Sequence, residues 1–537
     1  MLSNGIARGR SIASGLAAAA AVVVLGATGA TTPAASQPIP LDIAANPSGD
    51  VVALAEGGIE TALASLPHIV ADIKARSGVP GIAVAVVHGG ETVFAEGYGV
   101  RKAGTDAPVD ADTVFQIASL SKPIAGTVAA IQVTAGVLAW DDEVSRYLPS
   151  LTLADPYVTA NATVGDFFSH RSGLPLGAGD DLEDIGFDRA TIISRLDQLP
   201  LDAFRTSYHY ANFGLTIGGE AVAAASGTTW AQVAQDALFG PLGMSATSYR
   251  YADFVAHENR TALHALVDGE LRPLYERHPD AQAPAGGASS SVDDLAKWLS
   301  LLLAGGEHEG EAMISEAALV PALRAQSFSG PTRSLDLRSS FYGYGFGVST
   351  NANGRLAISH SGAFVLGAGT NMQMLPSADV AIVVLTNGGP IGAAEAIASR
   401  FMDLVQFGET TRDWFAGYNR LLLSYYDPIG DLVGETAPAD AAAARPLADY
   451  AGSYRNSYFG PAQIRAEGDA LTFVLGPEGA VELPLTVWGG DTFAVAPRNE
   501  NAPDGSLSSV TFTLEEGRAT GFTVQYLDGH GLGTWTR

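Results

Sequence analysis

Three short stretches of this chain carry side chains suited to covalent chemistry. In the first, Phe115-Gln116-Ile117-Ala118-Ser119-Leu120-Ser121-Lys122-Pro123, a serine precedes a lysine by three residues. On a helix that spacing puts both on one face, where their heads can meet. A serine hydroxyl is a weak nucleophile until a neighbour takes its proton, and a lysine can do so when burial keeps its amine neutral. A helix N-terminus also offers backbone N–H groups where negative charge develops. The ordinary alternative is a surface i,i+3 pair. The setting argues against it: Ile124, Ala125, Val128, Ala129, Ile131 and Val133 make the following helix apolar on most faces, which predicts burial. Pro123 is tolerated in its first turn.

The second stretch is Tyr208-His209-Tyr210-Ala211-Asn212-Phe213-Gly214. A phenol can relay a proton, and an amide two residues on can orient a substrate carbonyl or hydrogen-bond a lysine. The third is Ser359-His360-Ser361-Gly362-Ala363, where Gly362 lets a substrate approach the backbone closely. Read singly, each of these two is as well explained by a polar turn.

The elements that must position these residues follow from periodicity. Pro67 to Arg76 reads as a short amphipathic helix, and the run Gly81 to Val87, a turn at His88-Gly89-Gly90-Glu91 and Thr92 to Tyr98 make a hairpin. Residues 140 to 305 read as mainly helical. Within them Ser291-Val292-Asp293-Asp294 has capping-box spacing ahead of the stripe Leu295, Trp298, Leu299, Leu302 and Leu303. Strands are predicted at Tyr344 to Ser349, Leu356 to Ser359, Gly369 to Leu375 and Val380 to Thr386, then a helix from Ala393 to Phe407. Strands at both ends with helices between predict an α/β (α+β) domain with a mixed sheet beside a helical subdomain. Short alternating segments after Tyr450, such as Ala470 to Leu475, Val510 to Leu514 and Gly521 to Tyr526, predict a separate antiparallel β-domain. The expected divisions are a signal peptide over 1–36, a hydrolase domain over 37–430, a linker over 431–449 and the β-domain over 450–537.

Composition narrows the function classes. With 30 basic against 57 acidic residues the chain carries −27, which disfavours nucleic acid and anionic lipid as partners. It holds no cysteine, so disulfides, thiolate nucleophiles and Cys-ligated metals are excluded. The histidines show no metal-ligand spacing, His257 and His264 being too loosely placed, and Gly343-Tyr344-Gly345-Phe346-Gly347 opens no helix and is a poor phosphate loop. No cofactor is implied. Arg8 and Arg10 followed by the apolar stretch Ile12 to Ala27 and then small residues read as a secretory signal. Export, to a bacterial periplasm, is expected, with no stable membrane span after processing. The oligomeric state is not encoded in any pattern found.

Taken in order, Ser-x-x-Lys, Tyr-x-Asn and His-Ser-Gly resemble the serine β-lactamase and penicillin-binding protein superfamily, specifically its class C-like branch. The likeness runs from about Pro80 to Asn387. It includes Val79-Pro80-Gly81-Ile82-Ala83-Val84, Phe168-Ser169-His170-Arg171-Ser172-Gly173-Leu174, Gly240-Pro241-Leu242-Gly243-Met244 and Gly286-Gly287, pieces that shape loops. The resemblance implies a β-lactamase-like transpeptidase fold. It implies Ser119 as the acylated nucleophile, proton transfers shared by Lys122 and Tyr210, and His360 as a fourth catalytic side chain. Asn212, Ser361 and Gly362 would bind substrate, and the N–H groups of Ser119 and Ala363 would form an oxyanion hole, worth about 3–4 kcal/mol per donor. Many relatives carry lysine at the position of His360. A histidine titrating near ~6.5 gives a weaker, pH-dependent handle on a substrate carboxylate. The His-x-Gly motif and a lipocalin-like C-terminal domain look more like D-aminopeptidases and peptidases of linearised microcystin-type peptides. The expectation is therefore an acyl-enzyme peptidase or amidase on small linear peptides, those with D-residues among them. Carboxylesterase or β-lactamase action at the same site, or a non-turnover penicillin-binding sensor, are the alternatives.

Overall fold

The structure, a computed structural model, describes residues 53–330 and 334–537. The expected signal segment lies outside the described residues. An eight-stranded sheet runs, edge to edge, through Glu91–Gly99, Gly81–His88, Val380–Thr386, Ala368–Leu375, Leu356–Phe364, Gly347–Thr350, Ser340–Tyr342 and Ser327–Gly330. Each neighbouring pair is antiparallel, so the sheet is not mixed as expected.

The pattern of Gly81–His88 explains the layering. Successive side chains on a strand point to opposite faces. Ile82, Val84 and Val86 join one buried cluster with the helices Gly58–Ser77 and Ala393–Phe407. Ala83, Ala85 and Val87 join another, with the helices Ser121–Thr134, Asn212–Ser226 and Val292–Leu303. Val380–Thr386 alternates in the same way. Covered on both faces, these strands read as unbroken apolar runs.

Several expected boundaries move. The first helix begins at Gly58 and carries Pro67 inside it, nine residues ahead of the start expected at Pro67. The strand expected to end at Ser359 continues to Phe364, because Ser361, Gly362 and Ala363 pair with Asn371, Thr370 and Gly369. The third motif thus lies in a strand and not in a turn. Ser291 does accept from the Asp294 N–H at 3.3 Å. The Asp294 carboxylate does not complete a capping box: it takes the Ala246 N–H at 2.7 Å, the Thr247 hydroxyl and Lys297.

The C-terminal part is an up-and-down barrel of eight strands in chain order, from Gly452–Tyr454 to Thr534–Thr536. Arg455 and Thr536 exchange both backbone hydrogen bonds, at 2.7 and 3.0 Å, tying the first strand's end to the last. Its interior is aromatic: Tyr454, Phe473, Phe493, Phe512, Phe522 and Trp535 are all buried, with the last two rings stacked 5.3 Å apart. The barrel is anchored to the part built on the eight-stranded sheet where the Tyr458 hydroxyl donates to Asp181 at 3.0 Å and Arg195 donates to the Tyr458 carbonyl at 2.5 Å. Among the described residues no helix is long and apolar enough to cross a membrane.

Candidate active site

Ser119 sits in a single tight turn, Ala118–Leu120, immediately before the helix Ser121–Thr134. Ala118 is held at φ 48°, a left-handed backbone that costs a residue with a Cβ about 1–3 kcal/mol. Surrounding bonds maintain it. The Ser121 hydroxyl donates to the Ala118 carbonyl at 2.6 Å and accepts the Ala288 N–H at 2.9 Å, and the Ile117 N–H reaches the Ala288 carbonyl at 3.1 Å. The segment around Gly286-Gly287 is thus a backbone brace for the serine.

Lys122 is wholly buried, at 0% exposure. Its Nζ lies 3.0 Å from Ser119 Oγ, 2.7 Å from Asn212 Oδ1 and 2.9 Å from the Ala285 carbonyl. Burial disfavours the ammonium, while Asp180 and Glu183 partly restore it, and the amine is brought down to about 7. It is neutral in a large fraction of molecules at neutral pH. The face of Tyr210 lies against it, with Nζ 4.4 Å from the ring centroid. Burial pushes the Tyr210 phenol well above its usual range, with Ser119 opposing the shift. The phenol therefore stays protonated, and of the two side chains the lysine is the one placed to accept a proton.

Asn212 opens the helix Asn212–Ser226. Its carbonyl oxygen serves Lys122, and its Nδ2 donates to both oxygens of Asp180, at 3.2 and 3.1 Å. The two bonds fix the amide's orientation. Burial and the neighbouring Glu183 raise the Asp180 carboxyl well above its usual range.

The strand Leu356–Phe364 passes directly beside the serine turn. A methyl group at Gly362 would stand 2.3 Å from the Ile117 carbonyl and 3.0 Å from the Ser119 nitrogen, so only glycine admits this approach. Thr370, opposite Gly362, donates to the same Ile117 carbonyl at 2.9 Å. His360 is 8% exposed. Its Nδ1 faces the Ser361 carbonyl and its Nε2 the Tyr342 hydroxyl, each at 2.7 Å. A carbonyl only accepts, so Nδ1 carries the proton and Nε2 accepts from the tyrosine. Burial, with the Lys122 charge, lowers His360 to about 3. The titration expected of His360 near 6.5 is therefore corrected: the ring is a neutral member of the site throughout the physiological range. Ser361 alternates to the opposite side of the strand, where its hydroxyl accepts from Asn371 Nδ2 at 3.0 Å. It does not face the cluster around Ser119.

Sequence reasoning passed over three neighbours. His170, at φ 56°, stacks 4.5 Å from Tyr210 and 5.0 Å from Tyr342, and its Nδ1 accepts the Ala211 N–H at 3.2 Å. Burial holds it neutral. The motif Ser169-His170-Arg171 was visible but read as a loop-shaping piece. Tyr342 carried no signal beyond its type. Asp180 opens an acidic run, Asp180-Asp181-Leu182-Glu183-Asp184, that resembles a solvated face. Its burial is a product of tertiary packing.

A serine facing a buried, neutralised lysine beside an antiparallel sheet defines a serine β-lactamase-like protein. Residues 66–407 match the Beta-lactamase family and residues 436–532 match DUF3471, a domain of unknown function. The chain belongs to the Beta-lactamase family. It is 27% identical over 330 residues to "Penicillin-binding protein 4" of Amycolatopsis lactamdurans, which covers 59% of this chain and 83% of that one. It is 23% identical over 334 residues to the "D-alanyl-D-alanine-carboxypeptidase/endopeptidase AmpH" of Escherichia coli K12, with 61% and 85% covered. The solved octameric penicillin-binding protein homologue from Pyrococcus abyssi superposes with a TM-score of 0.56 over 88% of this chain and 100% of that one, at 18% identity. That likeness is one of fold.

Proposed function

We propose that this chain is a serine hydrolase working through an acyl-enzyme on Ser119, and that its substrates are amides of small linear peptides, including those with D-residues. The observation that carries the reading is the Lys122 amine, fully buried and 3.0 Å from Ser119 Oγ. Neutral Lys122 takes the hydroxyl proton as Oγ attacks the carbonyl carbon. The resulting oxyanion sits between the N–H groups of Ser119 and Ala363. On collapse the leaving amine receives the proton held by Lys122, passed through the Tyr210 hydroxyl. Water then attacks the acyl ester with Lys122 again as base, releasing the acid and restoring Ser119.

The peptide preference rests on two supports. A relative is named for carboxypeptidase and endopeptidase action. The third motif offers His360, a neutral ring, so no fixed positive charge is supplied there for the carboxylate that β-lactams present. Ester cleavage uses the same machinery without needing leaving-group protonation. We further read the chain as belonging to the class C-like branch, with a lipocalin-like barrel over 450–537 joined by a linker over 431–449. Export to a periplasm is part of this reading, supported by the basic and then apolar stretch Arg8 to Ala27 and by the absence of cysteine.

The test is a panel of D- and L-peptide p-nitroanilides, p-nitrophenyl esters and a cephalosporin, with Ser119→Ala as blank. Anilide turnover that Ser119→Ala lowers by at least ~10³-fold is expected. Ester turnover alone would transfer the assignment to an esterase. Equal rates in the variant would remove Ser119 from the chemistry.

A further inference from the structure

One loop of the barrel, between the strands Thr492–Val495 and Ser508–Glu515, reaches both walls of the Ser119 site. The Glu500 carboxylate accepts the Val365 N–H at 2.6 Å and the Leu366 N–H at 3.3 Å. These are the first two amides after the strand Leu356–Phe364, two and three residues past Ala363. The next residue, Asn501, donates its N–H at 3.2 Å and its Nδ2 at 2.8 Å to Asp184. Asp184 ends the short helix Asp180–Asp184, whose first residue holds Asn212. Asn499 shapes the loop by accepting the N–H groups of Asn501 and Ala502 at 3.1 and 2.8 Å. Beneath it Arg277 pairs with Glu183 at 2.5 Å and lies 5.5 Å from the Phe364 ring.

We infer that Glu500 and Asn501 are positioning residues for the hydrolysis, setting the gap between the strand that carries Ala363 and the wall that carries Asn212. This rests on the acyl-enzyme reading above. Two bonds from one carboxyl group to consecutive amides orient both peptide planes where the strand ends. Oxyanion donors act only when held close to the geometry of the transition state. The strand is secured on its inner side by pairing with Ala368–Leu375, and past Phe364 the Glu500 carboxylate takes over. The barrel is, on this inference, part of the catalytic unit and not an appended module.

The experiment uses the full chain with Glu500→Gln, Glu500→Ala and Asn501→Ala, assayed on a p-nitrophenyl ester and against a boronic acid that forms a tetrahedral adduct on serine. We expect kcat to fall ~10-fold or more in Glu500→Ala, with KM held within a factor of about three, as for a contribution made in the transition state. Glu500→Gln, which keeps one acceptor, should lie between that variant and the parent. Boronate affinity should weaken by the same factor as kcat, which loss of folded protein alone would not produce in titrated active sites. Should Glu500→Ala fail to fold, the near-isosteric Glu500→Gln and Asn501→Ala carry the test. Folded variants with parental kcat and boronate affinity would overturn the inference, as would a rise confined to KM. Ser119→Ala run alongside separates the two failures: an active Ser119→Ala defeats the acyl-enzyme reading, whereas an inactive one beside a normal Glu500→Gln defeats this inference alone.

Discussion

At the scale of the residue, the lysine is the group that burial alters most usefully. Brought down to about 7, it changes charge in the range where a base must work. Below that value it is an ammonium and cannot take the Ser119 proton, so kcat/KM should rise with pH through about 7 and level off above it. His360, lowered to about 3, contributes nothing to that limb. A pH profile of His360→Gln should keep the inflection, even at a reduced plateau, and an inflection lost with His360 would contradict the assignment. Asp180→Asn removes the carboxyl whose ionised form raises the lysine, so the limb should move to lower pH. The meeting of Ser119 and Lys122 was legible because it depends on local spacing. The protonation of His360 was not, because it depends on Tyr342 and on depth, neither of which is written beside it.

At the scale of the element, the site depends on backbones that touch. Gly345 stands at φ +87°, and a Cβ there would lie 2.3 Å from the Lys122 carbonyl. The glycine-rich stretch 343–347 is thus a packing turn on the helix Ser121–Thr134 that carries Lys122. Gly345→Ala should cost about 1–3 kcal/mol from the backbone conformation, with the clash adding to it. Urea unfolding checks this: a lower midpoint with unchanged slope is expected, and an unmoved midpoint would show that the turn relaxes freely. Apolar runs and alternation disclosed the strands Gly81–His88, Ala368–Leu375 and Val380–Thr386 and the Ala393–Phe407 helix almost to the residue, because burial on both faces leaves a plain pattern. The strands Ser340–Tyr342 and Ser327–Gly330 at one edge of the sheet carried no such pattern and were missed. The extension of the Leu356–Phe364 strand through Ser361 and Gly362 was hidden, since polar and glycine residues in a strand are set by their partners on the neighbouring strand, here Asn371 and Thr370.

At the scale of the whole molecule, a charge of −27 gives the protein an acidic overall field. A cationic p-nitrophenyl ester should therefore be processed with a higher kcat/KM than its anionic isostere at low salt. The ratio should shrink toward unity as added salt shortens the screening length to about 3 Å at 1 M. A ratio independent of salt would place selectivity in local contacts. The barrel's existence was legible in its short alternating strands. Its engagement of the site through Glu500 was not, because 135 residues separate that carboxylate from the amide it holds.

The central claim is that an uncharged amine beside Ser119 makes its hydroxyl reactive. The most direct measurement is rapid-quench acylation by a p-nitrophenyl ester across pH 5 to 9, with peptide mapping of the adduct. A single adduct on Ser119, forming at a rate that climbs through an inflection near 7 and is abolished in Lys122→Arg, is the predicted result. An adduct on another residue, or the same pH-dependent rate in Lys122→Arg, would contradict it.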